Sequence, residues 1–213
     1  MTDSPIKVID HFLPDEVFRP LSYHLMTYDG YRPCDFTTFD HESDGSIVWF
    51  GERPDLNVNP VQLHESLFVL KIYERAHNSE MINDIYHFQR PEIEILYKRL
   101  NVWKMLLMRA NCTFATSENF VGGWHNDLDT HPSDEVSDNE AKTCILYLNK
   151  NNGGTKFQET GEFVQSESNR AVIFPGHMKH AGVWCTDNKL RFVLNINYVE
   201  NDGRTKETTP KSD

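Results

Sequence analysis

Val121-Gly-Gly-Trp-His-Asn-Asp127, Lys179-His-Ala-Gly-Val-Trp184 and Leu190-Arg-Phe-Val-Leu-Asn-Ile-Asn-Tyr198 are the stretches around which the chain is organised. Two histidines and one carboxylate, His125, Asp127 and His180, form a donor set that takes one face of an octahedral divalent iron. The opposite face stays open for a co-substrate and O2. Arg191 follows His180 by eleven residues, inside an apolar run that reads as a strand. A permanently charged planar fork buried there needs an anion, and a bound carboxylate would supply one.

A His-x-Asp triplet alone says little in a chain with 10 His and 32 acidic residues. The order of the surrounding pieces says more. The triplet follows a strand-like run from Met105 to Thr116. After it come a polar loop, the strand Thr143 to Leu148, a Gly153-Gly154 turn and the strand Arg170 to Phe174. His180 and the strand of Arg191 complete the series. A β-barrel brings ligands at opposite ends of such a run to one mouth.

These residues resemble the Fe(II)- and 2-oxoglutarate-dependent oxygenases, and within them the prolyl-hydroxylase branch. The segments that carry the resemblance are His125-Asn-Asp127, Thr143-Cys-Ile-Leu-Tyr-Leu-Asn-Lys150, Asn152-Gly-Gly-Thr-Lys-Phe157, Asn169-Arg-Ala-Val-Ile-Phe174, and His180 with Arg191. It covers roughly residues 100 to 199, and more loosely Ile6 to Met26. The resemblance implies a mostly β fold with supporting helices: a double-stranded β-helix, or jelly-roll, cupin-like barrel, braced by N-terminal helices. It implies that His125, Asp127 and His180 hold Fe(II) as metal ligands. Arg191 and Tyr147 would bind the far carboxylate of 2-oxoglutarate. O2 is the oxidant and ascorbate an optional reductant. The implied reaction hydroxylates a C–H bond, with a prolyl residue of a protein or peptide as substrate, and releases succinate and CO2. One departure bears on how substrate or co-substrate is positioned. The oxygen-sensing animal enzymes have a second tyrosine upstream of the first ligand, and Cys112-Thr-Phe-Ala-Thr-Ser117 has none.

Length and composition set bounds on this reading. At 213 residues, with 38% hydrophobic and 12% aromatic content, the chain is expected to form one globular catalytic domain over residues 1–199. Helical support would occupy about 1–102, the barrel core about 103–199, and a flexible tail 200–213. No run is long and apolar enough to span a bilayer, and Met1-Thr-Asp-Ser-Pro does not read as a signal peptide. The cysteines Cys34, Cys112, Cys144 and Cys185 are scattered, which suits a reducing cytoplasm. The net charge of −11 argues against a nucleic-acid substrate, because phosphate binding calls for a basic face.

Along the chain, Ile6 to Asp10 reads as a short strand. Pro14-Asp-Glu starts a helix that buries Val17, Leu21 and Leu25, with Pro20 placed to kink or divide it. Tyr28 to Asp44 reads as loop or irregular strand, and Ser46 to Gly51 as strand. Val61 to Ala76 fits a helix, although Leu67-Phe-Val-Leu70 fits a strand equally. Pro91 to Leu100 is a helix with leading acids and trailing bases, and Trp103 to Phe114 is the strand that enters the barrel. Asp129 to Glu140 carries five acids without apolar rhythm. It reads either as a solvated loop or as a lid that selects a basic substrate.

His177 is a rival to His180 as the distal ligand. Its place in the Pro175-Gly176 turn favours His180, which leads into Val183-Trp184. Alternation along the last strand puts Arg191, Val193, Asn195 and Asn197 on one face, lining the pocket if Arg191 points inward. Phe192, Leu194, Ile196 and Tyr198 share the other face, toward the helices. Arg170 reads as structural. Two other readings stand beside peptide hydroxylation: the same chemistry on a free amino acid or nucleobase, and a cupin-like barrel that binds metal without turnover. Arg191 separates the last from the rest, since a metal-only barrel has no need of a buried arginine there.

Overall fold

The computed structural model describes residues 4–29, 31–33, 67–76, 79–81, 89–127 and 140–203. The strand read over Ser46 to Gly51, most of the Tyr28–Asp44 segment, the acidic loop up to residue 139 and the tail beyond residue 203 lie outside them. The element order is β1 (Lys7–Ile9), α1 (Asp15–Thr27), β2 (Arg32–Pro33), β3 (Leu67–Ala76), β4 (Ser79–Met81), α2 (Pro91–Arg99) and β5 (Val102–Phe114). Then follow β6 (Ala141–Tyr147), β7 (Gly154–Phe157), β8 (Phe163–Gln165), β9 (Arg170–Pro175), β10 (His180–Val183) and β11 (Leu190–Glu200).

Two antiparallel sheets face each other. The larger runs β1-β9-β6-β11-β5-β3-β2, with β4 paired to β3, and the smaller runs β10-β7-β8. Isolated bridges Val121↔Val183 and His125↔His180 lay the 121–127 segment against β10 as a further edge of the smaller sheet. This is the double-stranded β-helix, or jelly roll, that the family resemblance implies.

The helices form because their ends and apolar stripes agree. In α1, Asp15 and Glu16 sit in the first turn, and Val17, Phe18, Leu21 and Leu25 are buried. Pro20 does not divide α1, because it lies on the exposed face, where water can satisfy the carbonyl it leaves without a donor. In α2, Pro91 opens the first turn, acids precede Lys98 and Arg99, and Ile93 and Leu96 are buried. The two helices and the Phe12-Leu13 turn share one apolar cluster with Phe192, Leu194, Ile196 and Tyr198 of β11. That is the face alternation assigned to them. A second cluster, including Ile145, Tyr147, Phe157, Val172, Phe174 and Val193, fills the space between the sheets.

Asn169 ties the N-terminal segment to the barrel. It sits at φ 63, a region Asn tolerates. Its side chain accepts from Leu13 N–H at 3.0 Å and donates to Leu13 C=O at 2.7 Å, as a strand neighbour would. Arg170 is structural, pairing with Asp10 at 2.6 Å.

Two expectations need correction. Val61 to Ala76 is not a helix where it is described: Leu67–Ala76 is β3, paired along β5. A bulge between Lys71 and Tyr73 lets consecutive residues Ile72 and Tyr73 both enter the core. It therefore breaks the period-2 pattern that would have marked the strand. The tail also begins later than expected. Val199 is buried, Glu200 closes β11, and Asn201 N–H bonds to Asn101 C=O at 2.8 Å.

Candidate metal centre

The two histidines meet because their backbones pair. His125 N–H bonds to His180 C=O at 3.0 Å, and His180 N–H bonds to His125 C=O at 2.8 Å. Their rings lie 4.5 Å apart between centroids. Asp127 follows on the same edge, 2% exposed, and ligand atoms of the three residues all lie within 4.8 Å of one another. His180 is buried and part of this group, whereas His177 is exposed on its turn.

Proton placement makes the group a cation site. His125 Nδ1 is 3.0 Å from Gly123 C=O, and His180 Nδ1 is 3.1 Å from Met178 C=O. A carbonyl only accepts, so each Nδ1 carries the hydrogen and each Nε2 presents a lone pair. Those Nε2 atoms stand 3.8 and 3.7 Å from the Asp127 oxygens. Burial, with the neighbouring His180, pulls the His125 pKa down to about 4. Burial would raise Asp127, but the two imidazoles and Arg109 outweigh it and hold its pKa near about 2. Three acceptors therefore converge with no hydrogen to share, and a divalent metal resolves that arrangement. The donor set fits ferrous iron.

Other side chains aim the carboxylate. Thr143 Oγ1 donates to Asp127 Oδ2 at 3.2 Å, and Asn195 Nδ2 lies 3.5 Å from Oδ1. Asn197 helps hold the charge, although its amide makes no well-formed hydrogen bond. The Phe174 and His180 rings pack edge to face with centroids 4.8 Å apart, and Phe157 packs on Phe174 in turn.

Arg191 points between the sheets, 6% exposed. Its Nη2 donates to Gly154 C=O at 2.9 Å and its Nε to Ser166 Oγ at 3.3 Å. No carboxylate among the described residues pairs with it, so a buried guanidinium is left to be neutralised by an anion. The Tyr147 ring lies beneath it at 5.9 Å. The Tyr147 hydroxyl is bonded to Thr155 Oγ1 at 2.8 Å and Val164 C=O at 3.1 Å. Since the carbonyl can only accept, the phenolic proton is directed at Val164 and the ring face at Arg191.

Gly153 and Gly154 do not make the tight turn expected of them: Gly153 C=O accepts from Ser166 N–H at 2.8 Å and Gly154 already begins β7. A Cβ on Gly153 would stand 2.5 Å from Val183 C=O, and one on Gly154 2.2 Å from Val164 C=O. Close approach of the flanking strands is what requires glycine at both positions.

Sequence reading missed Thr143, Ser166 and Arg109 as site residues. A signal for Arg109 existed. Arg109, Asn111 and Thr113 recur at period two inside the largely apolar β5, and in register they face Asn195, Val193 and Arg191.

No protein-family model matches the chain, and no curated protein matches it either. Solved structures do. The α-ketoglutarate-dependent epimerase SnoN of nogalamycin biosynthesis aligns over 92% of this chain and 78% of its own, with TM-score 0.56 and 10% identity. The related carbocyclase SnoK aligns over 94% and 81%, with TM-score 0.52 and 11% identity. A prolyl hydroxylase from Trichoplax adhaerens, solved with a hypoxia inducible factor oxygen degradation domain peptide, aligns over 93% and 85%, with TM-score 0.50 and 11% identity. The fold is thus the double-stranded β-helix of the 2-oxoglutarate- and Fe(II)-dependent oxygenases.

Proposed function

We propose that the protein is an Fe(II)- and 2-oxoglutarate-dependent dioxygenase that hydroxylates a C–H bond, that of a prolyl residue in a protein or peptide. The observation that carries the oxygenase reading is that the space between the two sheets receives a three-acceptor metal group from the smaller sheet and, from the larger, a buried arginine that no carboxylate among the described residues pairs with. His125, Asp127 and His180 would hold the metal, and Arg191 the far carboxylate of the co-substrate. Bound iron and co-substrate supply O2 activation and C–H hydroxylation, with succinate and CO2 released.

The chain's own residues prepare the site. Gly123 and Met178 carbonyls fix the tautomers that turn both Nε2 atoms inward. Thr143 and Asn195 hold the Asp127 carboxylate toward them. Ser166 accepts from Arg191 and keeps its own hydroxyl proton for the same anion. Phe157 and Phe174 keep water from the His180 side. The prolyl substrate is supported by the resemblance of the motifs to prolyl hydroxylases. The cytoplasmic setting belongs to the same proposal, in line with the free, buried Cys112, Cys144 and Cys185.

Anaerobic titration with Fe(II) and 2-oxoglutarate tests the reading through the weak visible charge-transfer band. The band should form in the wild type and in His177→Ala, and vanish in His180→Ala. Arg191→Ala should weaken 2-oxoglutarate by about tenfold or more while leaving metal affinity in place. Succinate should follow on admitting air, and rise with a proline-containing peptide. Metal binding with no band and no succinate would overturn the oxygenase reading in favour of a barrel that only binds metal.

A further inference from the structure

Within a chain of net charge −11, the inner face of the barrel carries an excess of positive charge. Among the described residues, Arg191 and Arg109 beside the metal group are set against a single buried carboxylate, Asp127. Arg109 is level with Asn195 in the β5–β11 ladder, four positions along β11 from Arg191. At about 3.3 Å per residue this separates the two backbone positions by roughly 13 Å.

The environment of Arg109 is incomplete. Its side chain is 18% exposed, and its Nη2 stands 3.8 Å from Asp127 Oδ1, beyond hydrogen-bonding distance. Its Nε is buried with no hydrogen-bond partner. No other carboxylate among the described residues pairs with it. The Asp127 carboxylate is already engaged by Thr143, Asn195 and the metal group. The charges of the proposed co-substrate also find partners elsewhere. A dication on the donor set would be balanced by Asp127 and one co-substrate carboxylate, and Arg191 would balance the other. Among the described residues, Arg109 is then left with only the distant, already engaged Asp127. A largely buried guanidinium with an unused donor is costly unless an anion joins it.

We infer that Arg109 binds a carboxylate carried by the primary substrate, next to the C–H bond that reacts. This rests on the oxygenase reading above and narrows it: the substrate is an acid, or a peptide segment with a carboxylate adjacent to the reacting residue. A planar fork so placed would orient the substrate against the metal while the co-substrate occupies the deeper part of the barrel.

The test uses the full chain loaded with Mn(II) and 2-oxoglutarate, titrated calorimetrically with N-acetyl-L-proline and with its neutral amide. The wild type should bind the acid at least about tenfold more tightly than the amide. Arg109→Ala should abolish that preference and Arg109→Lys should restore part of it, with 2-oxoglutarate affinity changed by less than about twofold in both. Arg109 makes no hydrogen bond among the described residues, so the variants should unfold at no lower temperature than the wild type, which serves as the folding control. Equal binding of acid and amide by the wild type, or an unchanged preference in Arg109→Ala, overturns the inference. So does a loss of 2-oxoglutarate affinity in Arg109→Ala comparable to the loss of the acid, which would give Arg109 to the co-substrate. If the Mn(II)-loaded wild type does not bind 2-oxoglutarate at all, the oxygenase reading itself fails.

Discussion

On one face of β11, Phe192, Leu194, Ile196 and Tyr198 share an apolar cluster with α1 and α2. On the other face Arg191, Asn195 and Asn197 are about as deeply buried, yet Asn195 Oδ1 and both polar atoms of the Asn197 amide have no hydrogen-bond partner. Across the ladder on β5, Asn111 Oδ1 and Thr113 Oγ1 are left in the same condition. A buried polar group without a partner costs about 1–3 kcal/mol. The helix-facing side of the strand therefore holds the fold together, while the barrel-facing side spends stability on groups that a ligand can satisfy.

Substitutions on the two faces should separate these roles. The largest effect belongs to the helix side: Leu21→Ala, at a fully buried position in α1, should cost about 2–5 kcal/mol in denaturant unfolding. Metal affinity of the folded fraction should stay unchanged, and a loss of it would break the division. Next comes pH. The unfolded chain takes up a proton at His125 near 6.5, whereas the native state resists until about 4, so the unfolded state holds more protons between those values. Stability of the metal-free protein should then fall as pH drops through that window, by roughly 2 kcal/mol between pH 7 and pH 5. His125→Gln should flatten the profile, and an equal slope in that variant would assign the dependence to other groups. The smallest effect has the opposite sign. Asn197→Leu should raise stability by about 1 kcal/mol, since it removes a buried amide without partners. Destabilisation would show that the Asn197 amide is satisfied in solution.

Much of this was readable in the linear chain where the physics is local. Pro91 with acids ahead of Lys98 and Arg99 marks α2 because caps and the helix dipole act within a turn. The two faces of β11 follow from alternation alone, and the metal group from a His-x-Asp triplet placed before a second histidine. Three features escaped. The bulge in β3 hid a strand behind consecutive core residues. The glycines at 153 and 154 looked like a turn because glycine serves both turns and close strand contacts, and only the positions of Val183 and Val164 tell which. Arg109 was passed over because the stretch around it reads as core.

By itself, then, the amino-acid order determined which residue types were available: two imidazoles, one carboxylate, a late arginine, and strands enough to close a barrel. Tertiary structure alone decided which of them meet. The backbone pairing of His125 with His180 chose that histidine over His177, and the carbonyls of Gly123 and Met178 chose which ring nitrogens face inward. The β5–β11 register brought Arg109 level with the metal group. The physical reason is range. Caps, alternation and donor chemistry act over a few residues, whereas strand register and burial couple residues far apart in the chain and are settled only when the sheets close.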